Sequence, residues 1–406
     1  MARLKARSWQ AGACYDAIRS TPGATIPFNR SIVFSMKKKL IIVTTILLGA
    51  VLLSACAGGA TRGMSWPGLA TDGALIYLAD GPFVYAVSLG DGREIWRYPG
   101  ERNNKLVFYS PPAVTPDGLI IVGSAGTDHS LVALSPNDIN PDTNAPFEEW
   151  KFTGAKDHWV AAPLVVGDKL FAVNSDGNLY ILDLKDGQSL KEATVVELGG
   201  RLWSQPTTDG ERVYVTSLDH SVIAVDVNTY KVVWHEDVAG AVPGSAVPTE
   251  DGSLYVGSLA SQLEKFDTAT GNHQAVVDAA NWVWSSPSLD GDTLYFGDVN
   301  GNLYSYNTST GDQNWKAIKP DNSDTASITA SPLVQEQHIL VATESGSVFA
   351  VDRDGKILWN ETIGGKIYTS PIAAGQLTIV APLETDFYLA ALDSNGRQIW
   401  TFTPEN

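Results

Sequence analysis

The side chains that could do chemistry are present in this 406-residue chain, but not in the groupings that chemistry needs. Six histidines (His129, His158, His220, His235, His273 and His338) are scattered and never stand at metal-ligand spacing, so each reads as a surface or turn residue. The carboxylates recur instead of converging. Asp183, Asp226, Asp267, Asp352 and Asp393 each follow a strand-like run, where a carboxylate caps a turn by accepting from nearby backbone N–H groups. H-E-x-x-H, G-x-S-x-G, a phosphate-cradling Gly-rich loop and Cys-x-x-Cys are all missing. One insertion, 137–147, carries Asp138, Asn140, Asp142 and Asn144, with Glu149 beyond, at the oxygen spacing of a calcium loop. Thr143 stands where that loop needs Gly, Pro141 interrupts it and no helices flank it, so a polar surface loop is expected. The expectation is therefore no catalytic residue, no metal and no cofactor.

What recurs in place of catalytic residues is a row of aromatics. Tyr109, Trp203, Trp284 and Tyr368 each stand three residues before a proline, and Trp159 stands one place further back in its unit. His158, Arg201, Trp282 and Lys366 precede them. Two readings are open. The rings could pack between structural units near an axis, or they could line a concave funnel that holds a planar ligand or grips a partner's loop. Small residues just after the row, Ser110, Ala161, Ser204, Ala246, Ser285, Ala330 and Thr369, would let the segments that carry it converge.

These positions are set by a repeat. Pro67, Pro112, Pro163, Pro206, Pro248, Pro287, Pro332 and Pro371 open successive units, separated by 45, 51, 43, 42, 39, 45 and 39 residues. Six units close on Trp96, Trp150, Trp234, Trp315, Trp359 and Trp400, and two end near Val196 and Val277 without a Trp. Within units the apolar residues alternate with period two, as in Arg212-Val213-Tyr214-Val215, and no helical period is sustained. Asp176-Gly177 and Asn300-Gly301 supply positive-φ hairpin turns, while Asp186-Gly187, Thr270-Gly271 and Asp354-Gly355 supply a second set. About 43 residues per unit suits four strands, so residues 66–406 are expected to form an all-β, eight-bladed β-propeller of four-stranded antiparallel blades. Stacking each blade on two neighbours buries both its apolar faces, with no strand borrowed across the closure. Trp96, Trp234, Trp315 and Trp359 are expected as staples between blades.

The N-terminal stretch is different. Met36-Lys37-Lys38-Lys39 followed by the 14-residue, largely apolar stretch 40–53 is a basic n-region and an h-region too short for a membrane span of about 20 residues. Leu53-Ser54-Ala55-Cys56 resembles a bacterial lipobox, which implies cleavage before a lipidated Cys56. Residues 1–35, with Cys14, read as an upstream extension from a mis-assigned start, 36–55 as the signal peptide and 56–65 as a tether. Loss of residues 1–55 removes eight Lys/Arg and one acidic residue, shifting the formal charge from −17 to −24. So acidic a body argues against nucleic acid and against lying on anionic lipid. One remaining Cys leaves no pair for an intramolecular disulfide.

Leu179-Tyr180-Ile181-Leu182-Asp183, Val348-Phe349-Ala350-Val351-Asp352 and Tyr388-Leu389-Ala390-Ala391-Leu392-Asp393, with the Thr-Gly turns and closing tryptophans, resemble the PQQ-like repeat over essentially all of 66–406. Two branches share that repeat. Quinoprotein dehydrogenases bind pyrroloquinoline quinone and calcium in the channel. The vicinal disulfide, the long inter-blade insertions and the haem Cys-x-x-Cys-His found among them have no counterpart here. BamB-type lipoproteins of outer-membrane protein assembly are similar to this chain in lipid anchor, blade count and short loops. The resemblance implies a monomeric, non-enzymatic scaffold, lipid-anchored in the cell envelope, that binds a protein or peptide through its funnel. A PQQ-dependent dehydrogenase or a small-ligand sensor is the alternative.

Overall fold

In the computed structural model, residues 66–187, 195–323 and 326–405 are described. Cys56 and the segments expected to be a signal peptide and a tether lie outside them. The described residues form eight four-stranded antiparallel sheets, each built from four strands consecutive in sequence. Blades one to eight span 68–98, 113–152, 164–197, 207–237, 247–278, 288–318, 333–362 and 372–402. This is the expected eight-bladed β-propeller.

Alternation explains how the blades stack. In blade four, Val213 and Val215 face blade three while Tyr214, between them, faces blade five. The core is accordingly partitioned into eight clusters, one per seam. The cluster that joins blade eight to blade one, with Leu69, Tyr85, Ile379 and Phe402, is built like the others. The ring therefore closes by side-chain packing, without a shared strand.

Two collars hold the seams. At the inner collar, hydroxyls reach the next blade: Ser110 donates to the Ala161 carbonyl at 2.7 Å, Ser288 to Pro332 at 2.6 Å and Thr369 to Pro67 at 2.7 Å. Convergence leaves no room for bulk there, since a Cβ on Gly68 would lie 2.5 Å from the Ser110 carbonyl. At the outer collar, closing tryptophans donate their indole N–H to the following blade: Trp96 to Pro136, Trp150 to Leu184, Trp234 to Thr268, Trp315 to Arg353, Trp359 to Ser394 and Trp400 to Leu89, all at 2.8–3.1 Å. Trp150 and Trp400 thus do the same work as the four staples expected from sequence.

The recurring aspartates cap turns. Asp226 Oδ1 accepts from the Asn228 and Thr229 backbone N–H groups, and Asp267, Asp352 and Asp393 do likewise in their blades. Backbone donation from Thr229 holds the Asp226 carboxyl below the usual carboxylate range. A second set, Asp72 and Asp209, ties turn backbone to the hydroxyls of Tyr77 and Tyr214 at 2.7 and 2.6 Å. His338 departs from the surface expectation. It is buried edge-on to Trp359, and desolvation pulls its pKa down. The insertion in blade two is a hairpin rather than an irregular loop, with Asn140 paired to Ala145 and the Asn144 amide donating to the Ile95 carbonyl of blade one.

Candidate functional site

Each linker from an outer strand to the next inner strand runs extended across one end of the ring, and its register is fixed by backbone bonds. A residue one to three positions past the second strand donates its N–H to a linker carbonyl in seven blades: Ala125 to Val107, Ser175 to His158, Leu218 to Arg201, Leu259 to Ala241, Val299 to Trp282, Glu344 to Ser327 and Leu383 to Lys366. Those seven acceptors are equivalent. Two residues further on stand Tyr109, Val160, Trp203, Pro243, Trp284, Thr329 and Tyr368, and the strand registers add Trp66 of blade one. This ring of eight positions is the mouth of the channel.

The residues between the two rows form a third. Phe108, Trp159, Leu202, Val242, Val283, Ile328 and Ile367 are all almost wholly buried in the seams. Trp159 belongs to this row. It is 1% exposed, packs against Tyr180 and Phe152, and donates its indole N–H to the His129 carbonyl of blade two. A one-residue step along an extended segment reverses which side a residue faces. Trp159 is therefore a seam residue, and Val160 takes blade three's place at the mouth.

Trp66 was not in the row expected from sequence, because Pro67 does not mark the same point as its counterparts. By register, six opening prolines stand immediately before the residue equivalent to Ala70 of blade one, which pairs with Tyr77. Pro67 lies two residues before that point and Pro248 two after it, inside an inner edge strand that tolerates proline. An aromatic immediately before Pro67 was the available signal.

The rings meet over the opening. Trp66 stacks on Tyr368 with centroids 5.3 Å apart and planes 12° apart, and meets Trp284 edge-on at 5.7 Å. Blades one and six are not neighbours, so the second contact spans the mouth. Trp203 and Tyr109 are half-buried in the same ring, while Trp282 stands 49% exposed beside it. Of the basic side chains, Lys366 lies 3.2 Å from Glu384, His158 contacts Asp157 and meets His129 edge-on, and Arg201 is exposed. Glu344 accepts from the Tyr368 hydroxyl at 2.7 Å. Burial opposes ionisation of Asp321, but hydrogen bonds from Ser345, Ser323 and Thr343 outweigh it and hold its carboxyl below the usual range. The mouth is thus an aromatic surface edged with carboxylates. Among the described residues no group of three His, Cys, Asp or Glu side chains could hold a metal.

Fold and mouth together define an eight-bladed propeller of PQQ-like repeats, with short linkers between blades and an aromatic rim at one end of the channel. The family described as outer membrane protein assembly factor BamB matches residues 7–274, 219–363 and 321–406, and the chain belongs to that family. BamB of Burkholderia pseudomallei is 30% identical over 117 residues, 29% of each chain. BamB of Shewanella oneidensis is 27% identical over 255 residues, 57% of this chain and 60% of the relative. The match therefore spans less than two thirds of either relative. BamB of Yersinia pestis is 22% identical over 68% of this chain and 75% of its own. Among solved structures, BamB from Moraxella catarrhalis aligns with a TM-score of 0.61 at 18% identity, covering 85% of this chain and 97% of that one. The computationally designed Ika8 protein aligns at 0.62 and 12% identity, covering 84% and 98%. Identities this low speak to the fold alone.

Proposed function

We propose that this chain is a non-enzymatic scaffold of outer-membrane protein assembly, tethered to a membrane of the cell envelope through lipid on Cys56, that grips a protein or peptide partner at the channel mouth. The observation that carries the reading is the mouth itself. Trp66, Trp203, Trp282, Trp284 and Tyr368 gather rigid aromatic surface at one end of a ring whose remaining residues maintain blades and seams. Aromatic residues are the commonest anchors of protein interfaces, because they bring large contact area at little conformational cost. The family name supports the assembly role, and the basic n-region, short apolar run and Leu-Ser-Ala-Cys order support the anchor.

Full-length protein purified from native membranes should bring envelope assembly proteins with it, identified by mass spectrometry. Trp203→Ala and Trp284→Ala together should remove them at unchanged fold, and retention of every partner would sink the mouth reading. Cys56→Ser should release the protein from membranes. Added pyrroloquinoline quinone and calcium should give neither a bound chromophore nor dye-linked alcohol oxidation; turnover would replace the scaffold with an enzyme.

A further inference from the structure

The mouth already holds one ring that does not belong to the core. Trp66 is 41% exposed and takes no part in any of the eight seam clusters, yet it lies flat on Tyr368 and edge-on to Trp284. The surfaces it touches are fixed independently of it. Glu344 accepts from the Tyr368 hydroxyl, and Trp284 sits between fully buried Val283 and almost fully buried Ser285. Pro67, the next residue, is pinned at its carbonyl by Thr369. Trp66 therefore projects from a fixed point into a preformed corner, leaving its outer side to solvent.

We infer that this corner is a binding site for a planar aromatic side chain of the protein partner, and that Trp66 is an internal placeholder which that side chain displaces. The inference rests on the mouth being the partner site, and deepens it by naming the chemistry of the ligand. An occupant that must leave before the ligand enters weakens apparent affinity by the fraction of time the site is free. Two ring pairs of the observed geometry hold the docked state roughly tenfold over the open one.

The probe is N-acetyl-5-fluorotryptophanamide, titrated into the full-length protein and followed by ¹⁹F NMR. Trp66→Ser should tighten its binding about tenfold, and adding Trp284→Ala should abolish the gain. In unmutated protein labelled with 5-fluorotryptophan, the Trp66 resonance, identified by its loss in Trp66→Phe, should shift as the probe saturates the site. Equal affinity of wild type and Trp66→Ser, or a Trp66 resonance unmoved at saturation, would overturn the placeholder. So would a fall of many degrees in the unfolding midpoint of Trp66→Ser, which would make Trp66 a clasp of ring closure. Partner capture separates the two readings. If Trp203→Ala with Trp284→Ala loses the partners while Trp66→Ser binds the probe no better, only the placeholder fails. If the double variant keeps its partners, the mouth reading fails whatever the probe does.

Discussion

Six seams of the ring are locked at the rim by tryptophan and two are not, and the contrast shows what the lock consists of. At five tryptophan seams the indole lies on a glycine in the next blade's turn: Trp400 on Gly92, Trp150 on Gly187, Trp234 on Gly271, Trp315 on Gly355 and Trp359 on Gly396. Each glycine has positive φ, and a Cβ on it would stand 2.4–3.1 Å from the ring. Turn glycine and closing tryptophan are thus two halves of one joint, split between neighbouring repeats. Where blade three ends at Val196 without a tryptophan, blade four has no turn glycine either. Tyr230 takes its place at φ 59°, packing against Phe171 beneath Lys169. Where blade five lacks one, Gly311 keeps its positive φ, but a Cβ there would meet only the Tyr306 hydroxyl at 3.9 Å. Tyr306, from the same blade, meets Tyr255 across the seam. In both exceptions a tyrosine of the following blade fills the space that an indole of the preceding blade would occupy.

The contrast can be broken outright. Trp96→Ala removes a wholly buried indole and its hydrogen bond, and should cost about 3–5 kcal/mol in urea unfolding. Two glycine substitutions sharpen it. Gly311→Ala should cost only the left-handed backbone penalty, about 1–2 kcal/mol, whereas Gly187→Ala should add an overpacking cost of about 1–3 kcal/mol against Trp150. Equal losses would mean that the indole contact is incidental. Tyr230→Gly offers a test of sign. It relieves a strained φ, yet should still destabilise by about 1 kcal/mol because it empties the seam; a gain in stability would show that Tyr230 fills nothing. Acid should have the smallest power to discriminate. Asp226 and Asp267, in turns at a tyrosine seam and a tryptophan seam, both have lowered pKa values, set first by donation from the Thr229 backbone and the Thr270 hydroxyl respectively. Their stabilisation is complete above the unfolded value of about 3.9 and is lost as pH falls through the folded values. Unfolding midpoints should hold steady above about pH 5 and drop below it. Wild type and Tyr230→Gly should drop in parallel.

Blade number, strand order, turn aspartates and tryptophan staples were legible because each repeats, and a repeated feature survives an error in any one unit. The mouth was less legible, because it depends on register to a single residue. Counting back from prolines worked where the proline stands immediately before the residue that shares Ala70's register. It missed Trp66, whose proline is displaced by two. Trp159 was assigned to the mouth on ring type alone, although the position it shares with Phe108, Leu202, Val242, Val283, Ile328 and Ile367 is apolar in all seven linkers between blades. That column was visible in the sequence, and it separates seam from mouth better than aromaticity does. His338 could not be read as buried, since only the fold brings Trp359 onto it.

Because every sheet is one uninterrupted stretch of chain and the closing seam is packed like the rest, no blade is topologically privileged. A recombination event that copied or deleted a unit between linkers would leave each surviving ladder whole and alter only the angle through which neighbours must turn. For the same reason, rejoining the chain in a new order, with fresh ends placed in any linker, should recover the same set of blades.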